Sequence, residues 1–417
     1  MDTITHGIAG ALLSKALYDG DDLFAFRPMN RQRVVSWSLM LGAIFPDADT
    51  FRDMFSTNEL LMITWHRSIT HSLLCMPIFA LLLAGLTRWI VRWRKWEAPS
   101  FAALTGIYAV GIFSHILLDL VTSFGTMVWS PWRWTRPAWD LIFIIDFTFT
   151  GILLAPQILA WVHERAEKSK KRAIISFLIF ALALLAIQKL FETFGVPVSA
   201  ASISMFLAVL AGLFFLPLLR KSSDSRSSTG SEGRGAYRLW NRAGLAAACG
   251  YVVLTIVAHH AAMKRVQKFT AIDKLDVVSV GALPFPPSLW RWDGLVRTPR
   301  GVYEVRMDLS TKSPFENPAA AGAPGAQLED RPALEYRFYP DAYPNVYIEA
   351  AKELPEAQTF LWFARFPVTH FHKEGAEAVV EFSDIRFPRI RPGRPAPFTY
   401  RVRLGAGGNV LEQGWAK

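Results

Sequence analysis

Long apolar runs constrain the fold of this chain more than any other feature of its sequence. Crossing a bilayer as a helix takes about 20 apolar residues. Six runs reach that length, at about residues 73–92, 101–123, 139–162, 173–193, 198–219 and 243–262. Two shorter runs, at 4–18 and 34–46, fit half-buried helices or a tilted hairpin. We therefore predict a mainly α, polytopic helical membrane bundle of six long and two short apolar helices.

The composition agrees with membrane insertion. Of the 417 residues, 52% are hydrophobic, and the mean hydropathy of +0.23 is too high for an ordinary soluble enzyme. The net charge of +10 comes from basic residues that mostly lie between apolar runs, so we expect no nucleic-acid partner. Cys75 and Cys249 provide neither a disulfide framework nor a Cys-rich zinc site. The N-terminus lacks a basic region before its apolar run, so we expect it to be retained.

Basic clusters between the apolar runs predict which side of the membrane each loop occupies. They comprise Arg88, Arg92, Arg94 and Lys95; Lys168, Lys170, Lys171 and Arg172; and Arg220, Lys221, Arg226, Arg234, Arg238 and Arg242. Loops rich in Lys and Arg tend to be cytoplasmic. Residues 221–242 are accordingly predicted to be a flexible cytoplasmic loop. The opposite ends of the bundle, which carry the candidate site residues, are then extracytoplasmic.

The chain after residue 263 has the composition of a separate domain. Its apolar runs shorten and proline becomes more frequent, which predicts a β-rich extracytoplasmic domain at 264–417. Residues 289–309 are predicted to form a hairpin that turns at Thr298 to Gly301. The other predicted elements are strands at 333–338, 378–382 and 398–404 and a short helix near 357–363.

Two histidines and an arginine stand directly before the apolar run at 73–92. His66 and His71 are five residues apart, close enough to bind one metal ion or two neighbouring ions. Arg67 between them can hold a carboxylate or a phosphate through its planar fork. An ordinary polar loop that caps a membrane helix is the alternative.

A second pair lies within the apolar run at 101–123. His115 and Asp119 are four residues apart, so on a helix their side chains share one face. They can bind the same metal ion, or the carboxylate can orient the imidazole. A helix-stabilising pair or a polar contact between helices is the alternative. Ionisable groups at membrane depth are costly, which favours a functional role.

Four other polar residues lie within about the first 150 residues of the chain. Asp47 and Asp49 alternate after the second short run, so either one of them faces the other ligands or both form an acidic turn. Asp146 lies in an apolar run, where a carboxylate needs a metal ion, an arginine or a neighbouring helix as its partner. His6 begins the first apolar run, and by itself it would be interpreted as a surface histidine.

These residues map to one membrane face, which favours a shared metal site. We predict that the following residues bind the metal ion directly or contact one of its ligands: His6, Asp47, His66, His71, His115, Asp119 and Asp146. Imidazole and carboxylate ligands suit zinc, manganese or iron, and we expect zinc first. A metal-activated water is the natural nucleophile for such a site. The stretch Trp129 to Trp134 is predicted to be an interfacial aromatic belt, with Arg133 beside the site.

The motifs, in their order, resemble those of a known family. They are Thr5 to Gly7, Phe45 to Asp49, His66 to Ser72, Ser114 to Asp119 and Ile144 to Asp146. They resemble the YdjM-like bacterial inner-membrane metal-dependent hydrolases, also described as LexA-binding, inner-membrane-associated hydrolases. The resemblance covers about residues 1–150. It implies metal ligands at His6, Asp47, His66 or His71, His115 and Asp119, and a distant kinship with zinc-dependent phospholipase C.

Residues and resemblance together predict a multi-pass protein of the bacterial inner membrane that hydrolyses a phosphoester, with phospholipids among the candidate substrates. Arg67, which would bind the anionic group, and Asp49 are the predicted catalytic residues. One alternative is a metal or ion transporter that uses the same His and Asp cluster. Another is a structural or regulatory membrane protein that holds a metal ion. The lipid bilayer is the one partner that the sequence predicts.

Overall fold

Helices form the first two thirds of the chain, and strands dominate the last third. The structure is a computed structural model that describes residues 1–18, 29–53, 56, 60–163, 166–193, 200–221, 230–286, 288–310, 336–387 and 396–416. The helices are α1 (Thr3–Leu17), α2 (Arg31–Ile44), α3 (Thr50–Asp53), α4 (Leu61–Thr64), α5 (Met76–Arg94), α6 (Phe101–Leu120), α7 (Phe147–His163), α8 (Ala166–Thr193), α9 (Ala200–Lys221), α10 (Gly230–Ile272), α11 (Val346–Lys352) and α12 (Pro355–Phe363). Two short 3-10 turns lie at Phe45–Asp49 and Ile69–His71.

Four helices are long and apolar enough to cross a membrane. They are α5, α6, the part of α8 at Lys168–Lys189 and the part of α10 at Tyr237–Ile272. Helix α7 and the part of α9 at Ile203–Leu218 are apolar but shorter. The mainly helical membrane architecture is therefore confirmed, whereas only four of the six predicted long spans reach spanning length in the described part of the chain.

The third predicted span begins later than its hydropathy suggests. Residues 139–146 are not helical, and Asp140 has left-handed backbone geometry with φ of 54°. Asp146 Oδ1 accepts hydrogen bonds from the backbone N–H groups of Thr148 and Phe149, at 2.8 and 3.0 Å. A side chain that satisfies the first free N–H groups of a helix favours a helix start at that point. The Asp146 carboxylate therefore caps α7.

Helix α10 is longer than predicted at both ends. It includes residues 230–242 of the predicted 221–242 loop, while residues 222–229 lie outside the described residues. Beyond the membrane run it continues because it packs on a sheet: Val266 and Phe269 share a buried cluster with Trp292. One continuous helix, α10, therefore connects the membrane bundle to the β-rich region.

The C-terminal region contains two four-stranded antiparallel sheets, ordered β1-β2-β3-β4 and β5-β6-β7-β8. The strands are β1 (Ser279–Phe285), β2 (Arg291–Thr298), β3 (Gly301–Asp308), β4 (Tyr336–Pro340), β5 (Pro367–Glu374), β6 (Glu377–Asp384), β7 (Thr399–Leu404) and β8 (Val410–Trp415). The predicted hairpin is confirmed, with Thr298 opposite Gly301. The strands predicted at 333–338, 378–382 and 398–404 correspond to β4, β6 and β7, and the short helix predicted near 357–363 corresponds to α12. Residues 333–335 lie outside the described residues.

Close contacts between small residues bring α1, α2 and α6 together. A Cβ atom added to Gly10 of α1 would lie 2.7 Å from Ala43 Cβ, and one added to Gly111 of α6 would lie 2.7 Å from the Leu39 carbonyl oxygen. Small residues allow helix backbones to approach closely in membranes. The C-terminal end of α2 is thereby held between α1 and α6.

The second sheet and its helices pack directly on the loops at this end of the bundle. Phe124, from the loop after α6, and Ile63 of α4 belong to the same buried cluster as Phe363 of α12. Arg365 donates two hydrogen bonds to the Asp140 carboxylate, at 2.9 and 2.8 Å. The C-terminal domain is therefore in contact with the loops that flank the candidate site.

Candidate metal centre

Four buried side chains from three segments of the chain converge at one end of α2 and α6. Asp47 comes from the 3-10 turn after α2, His71 from the 3-10 turn before α5, and His115 and Asp119 from α6. One ligand atom of each lies within 4.8 Å of the other three. No more than 8% of any of these side chains is exposed. Carboxylates and imidazoles grouped away from water need compensation, which a bound metal ion would provide.

The separations between ligand atoms fit a single small cation. His71 Nε2 and His115 Nε2 are 3.0 Å apart, and each lies between 3.2 and 3.7 Å from Asp47 Oδ1 and Asp119 Oδ2. Ligands about 2.0 to 2.2 Å from a tetrahedral ion are about 3.3 to 3.6 Å from one another. Asp119 Oδ2 is buried and accepts no hydrogen bond from the residues that the structure describes. The donor set is thus chemically and sterically suited to zinc, manganese or iron.

The backbone of α2 determines which nitrogen of His115 is available. His115 Nδ1 lies 2.6 Å from the Ala43 carbonyl oxygen. A carbonyl oxygen only accepts, so Nδ1 carries the proton and donates. In the neutral ring Nε2 is then unprotonated and faces Asp47 and Asp119. Histidine ligands are commonly oriented by this kind of bond from their second nitrogen.

Asp49 lies behind His71 and outside the group of four. Its carboxylate accepts hydrogen bonds from Thr70 Oγ1 at 2.9 Å and from the backbone N–H of Arg67 at 3.1 Å, and it contacts His66 Nδ1 at 2.8 Å. Asp49 Oδ2 is also 3.5 Å from His71 Nδ1. Of the alternatives that the sequence left open, the structure therefore places Asp47 and His71 in the cluster, with Asp49 and His66 around it.

The cluster retains both negative and positive charge. Burial lowers the pKa of His71, but its contacts with Asp119, Asp47 and Asp49 raise it more strongly, to about 10. For Asp47 and Asp49, burial raises the pKa, but the neighbouring histidines lower it more strongly, to well below its usual range. The site therefore favours ionised carboxylates together with a cationic partner.

Asp119 is held by a second set of groups on its other oxygen. Asp119 Oδ1 lies 3.0 Å from an Arg67 guanidinium nitrogen and 3.2 Å from His6 Nε2, and it also contacts the Met1 ammonium group. The His6 ring stacks on His115, with centroids 3.6 Å apart. Arg67 is 2% exposed and also donates to Thr122. These contacts orient Asp119 so that Oδ2 faces the two histidines.

Of the partners that the sequence left open for Asp146, the structure shows a neighbouring helix, and it adds a contact of Thr3 that was not predicted. Asp146 lies outside the four-residue cluster, because its carboxylate caps α7 and accepts a hydrogen bond from the Tyr251 hydroxyl at 2.9 Å. Thr3, which was not predicted, donates from Oγ1 to Asp47 Oδ2 at 2.6 Å. A lone threonine before an apolar helix looks like a helix cap, so no sequence signal distinguishes this role.

The comparisons with known proteins agree with the motifs. The family described as YdjM inner membrane protein matches residues 1–193. Uncharacterized protein YxaC of Bacillus subtilis (strain 168) is 26% identical over 155 residues, which is 37% of this chain and 62% of that protein, so the chain spans less than two thirds of this relative. No solved structure matches the chain. The predicted resemblance to the YdjM inner membrane protein family is thus confirmed over residues 1–193, which include all four residues of the candidate metal centre.

Proposed function

We propose that this protein is a membrane-embedded, metal-dependent hydrolase that cleaves a phosphoester, with phospholipids among its candidate substrates. The observation that carries the proposal is the buried group of Asp47, His71, His115 and Asp119. A divalent cation held there supplies Lewis-acid activation of water and of a phosphoryl oxygen. Zinc is the first candidate because the ligand set is small and contains two imidazoles.

The residues around the cluster keep its ligands in position. Asp49 acts through His71, and Arg67 acts through Asp119, because those are the groups that they contact. The sequence predicted Arg67 and Asp49 to be catalytic, and we propose that Asp49 orients His71 while Arg67 orients Asp119 and also faces the phosphoryl group. Arg67 also places a positive charge beside the centre, where charge on a phosphoryl group would develop.

We further propose that the site and the C-terminal domain are extracytoplasmic. Two of the basic clusters predicted to be cytoplasmic lie at the C-terminal end of α5 and at the N-terminal end of α8, remote from the metal-ligand candidates. Reporter fusions at Ser227 and after Lys417 test this topology, since α10 lies between the two positions. Opposite locations are expected, and identical locations would contradict the proposed sidedness.

A structural metal site is the second candidate, and the closure of the cluster favours it. Its four side chains are almost inaccessible to water. A cavity of about 620 Å³ exists elsewhere, at the opposite ends of α1, α2 and α6, and no cluster residue lines it. In a structural site, metal binding would stabilise the bundle without turnover.

Metal analysis combined with a substrate screen separates these functions. Purified wild type, His115→Ala and the matched control His372→Ala would be assayed for metal content and for hydrolysis of bis(p-nitrophenyl) phosphate and phospholipid vesicles. His372 is an exposed histidine of strand β5. If His115→Ala loses both the metal and hydrolysis while His372→Ala retains both, the hydrolase is supported. Metal without hydrolysis of any substrate favours the structural role, and metal flux into vesicles favours the transporter.

A further inference from the structure

Three arginines surround two phenylalanine rings, Phe124 and Phe363, whose centroids are 5.3 Å apart and whose planes are tilted by 56°. The guanidinium carbons of Arg67 and Arg136 each lie 4.9 Å from the centroid of the Phe124 ring, so they are no more than twice that distance apart. Arg136 and Arg386 lie 5.3 and 4.8 Å from the centroid of Phe363. Positive charge is therefore concentrated next to the ligand Asp119, which Arg67 contacts.

These three arginines differ in how their charge is balanced. Arg67 pairs with Asp119 at 3.0 Å, and Arg386 pairs with Asp384 at 2.8 Å. Arg136 donates instead to two neutral acceptors, the backbone carbonyls of Ile63 and Gly125, at 2.5 and 3.1 Å. Among the described residues no carboxylate lies within ion-pair distance of Arg136.

Unused donors accompany the unbalanced charge. The Nε atoms of Arg67 and Arg136 are buried and have no hydrogen-bond partner in the described part of the chain. Burial lowers the pKa of Arg136, repulsion from Arg67 and Arg386 lowers it further, and the attraction of Asp119 and Asp49 offsets this only in part, so that the pKa is about 9. A largely enclosed cation without a carboxylate in ion-pair contact is costly, and a bound anion would relieve the repulsion and pair the free donors.

We propose that Arg136, together with Arg67, forms an anion-binding subsite beside the metal centre that accepts the phosphoryl group of the substrate. Guanidinium groups bind tetrahedral oxyanions through several planar N–H donors. Arg136 is partly exposed whereas Arg67 is buried, so the subsite is reached from the side of Arg136. That the bound anion is a group of the substrate rests on the proposed hydrolase function. That the subsite binds an anion does not depend on it.

The test measures the binding of inorganic phosphate to the full-length protein by titration calorimetry, at equal metal content in all samples. The variants are Arg136→Gln, Arg136→Lys and the matched control Arg133→Gln, an exposed arginine of the same loop. We expect Arg136→Gln to weaken phosphate binding at least tenfold and Arg136→Lys to retain part of the affinity. Arg133→Gln should remain within twofold of wild type. Equal metal content and an unchanged unfolding temperature show that Arg136→Gln is folded.

A second arm identifies the source of the phosphoryl group. A short-chain phosphatidic acid that competes with inorganic phosphate in wild type, and not in Arg136→Gln, assigns the subsite to a lipid headgroup. Competition by glycerol phosphate alone assigns it to a soluble phosphoester. The proposal is overturned if wild type does not bind phosphate, or if Arg136→Gln binds it as well as wild type does. Phosphate binding with no hydrolysis by the metal-loaded protein would contradict the hydrolase and leave the subsite standing.

Discussion

His115 donates a hydrogen bond of 2.6 Å from Nδ1 to the carbonyl oxygen of Ala43. The bond connects the C-terminal ends of α2 and α6 at the candidate metal centre. It leaves His115 Nε2 unprotonated and facing the other three side chains of the cluster. The position of α2 against α6 thus controls the tautomer and direction of one ligand.

Gly111 makes that position available, and its substitution should weaken metal binding. A Cβ atom there would lie 2.7 Å from the Leu39 carbonyl oxygen and 3.0 Å from Ala43 N. We expect Gly111→Ala to push α2 away from His115, lowering metal affinity by about 10-fold or more and stability by about 1–3 kcal/mol. Gly106→Ala, with no atom within 4 Å, is the control. Equal metal affinity of the two variants, measured by chelator competition, would show that the helix contact does not position His115.

The two histidines before α5 should differ in their importance for metal binding. His71 offers Nε2 to the cluster, whereas His66 contacts Asp49 and is 16% exposed. We expect His71→Ala to lose the metal and His66→Ala to retain its stoichiometry, because Thr70 and the backbone of Arg67 still hold Asp49. Elemental analysis of the purified variants checks this difference. Loss of metal in His66→Ala alone would reverse the assignment of the two histidines.

The paired hydrogen bonds between Arg365 and Asp140 should anchor the C-terminal domain to the bundle. The Asp140 side chain is 7% exposed, so removal of its partner leaves a buried carboxylate unpaired. We expect Arg365→Ala to destabilise the protein by about 1–3 kcal/mol, measured by thermal unfolding in detergent. Lys352→Ala, which breaks an exposed pair with Glu349, should cost less than about 1 kcal/mol. Similar losses in both variants would mean that the Arg365 pair contributes no more than an exposed one.

Asp293 on strand β2 should make the first sheet less stable as pH rises. Burial, and then repulsion from Glu304, raise the pKa of Asp293 to about 7. Between the usual carboxyl pKa and pH 7 the folded state binds more protons than the unfolded state, so stability falls with increasing pH and levels off above 7. Asp293→Asn should therefore be more stable than wild type at pH 8, by on the order of 1–2 kcal/mol, with the difference disappearing near pH 4.

Hydrogen exchange of the β2 and β3 amides at pH 5 and pH 8 measures this local stability. Asp276→Asn, at an exposed position before β1, is the control. A difference between Asp293→Asn and wild type that does not change with pH would show that the Asp293 carboxylate is not the cause.

Several features of this protein follow from the sequence by itself. Apolar runs predict a membrane bundle because only a helix satisfies its own backbone in lipid. The hairpin at β2 and β3 follows from local alternation and a glycine turn, both of which act over a few residues. The i, i+4 spacing of His115 and Asp119 places both on one face of α6, which is a property of any helix.

Tertiary structure decided which of the other candidates join that pair. Asp47 and Asp49 are two residues apart, and His66 and His71 are five residues apart. No local rule distinguishes which aspartate and which histidine of these pairs joins the cluster. The distinction arises from the close approach of α2 to α6 and from the 3-10 turn at His71, which depend on contacts between segments distant in sequence. The same holds for Arg136, whose charge is unbalanced only because the loop after α6 packs against the C-terminal domain. Sequence determined the kinds of ligand, and packing between distant segments determined which of them meet.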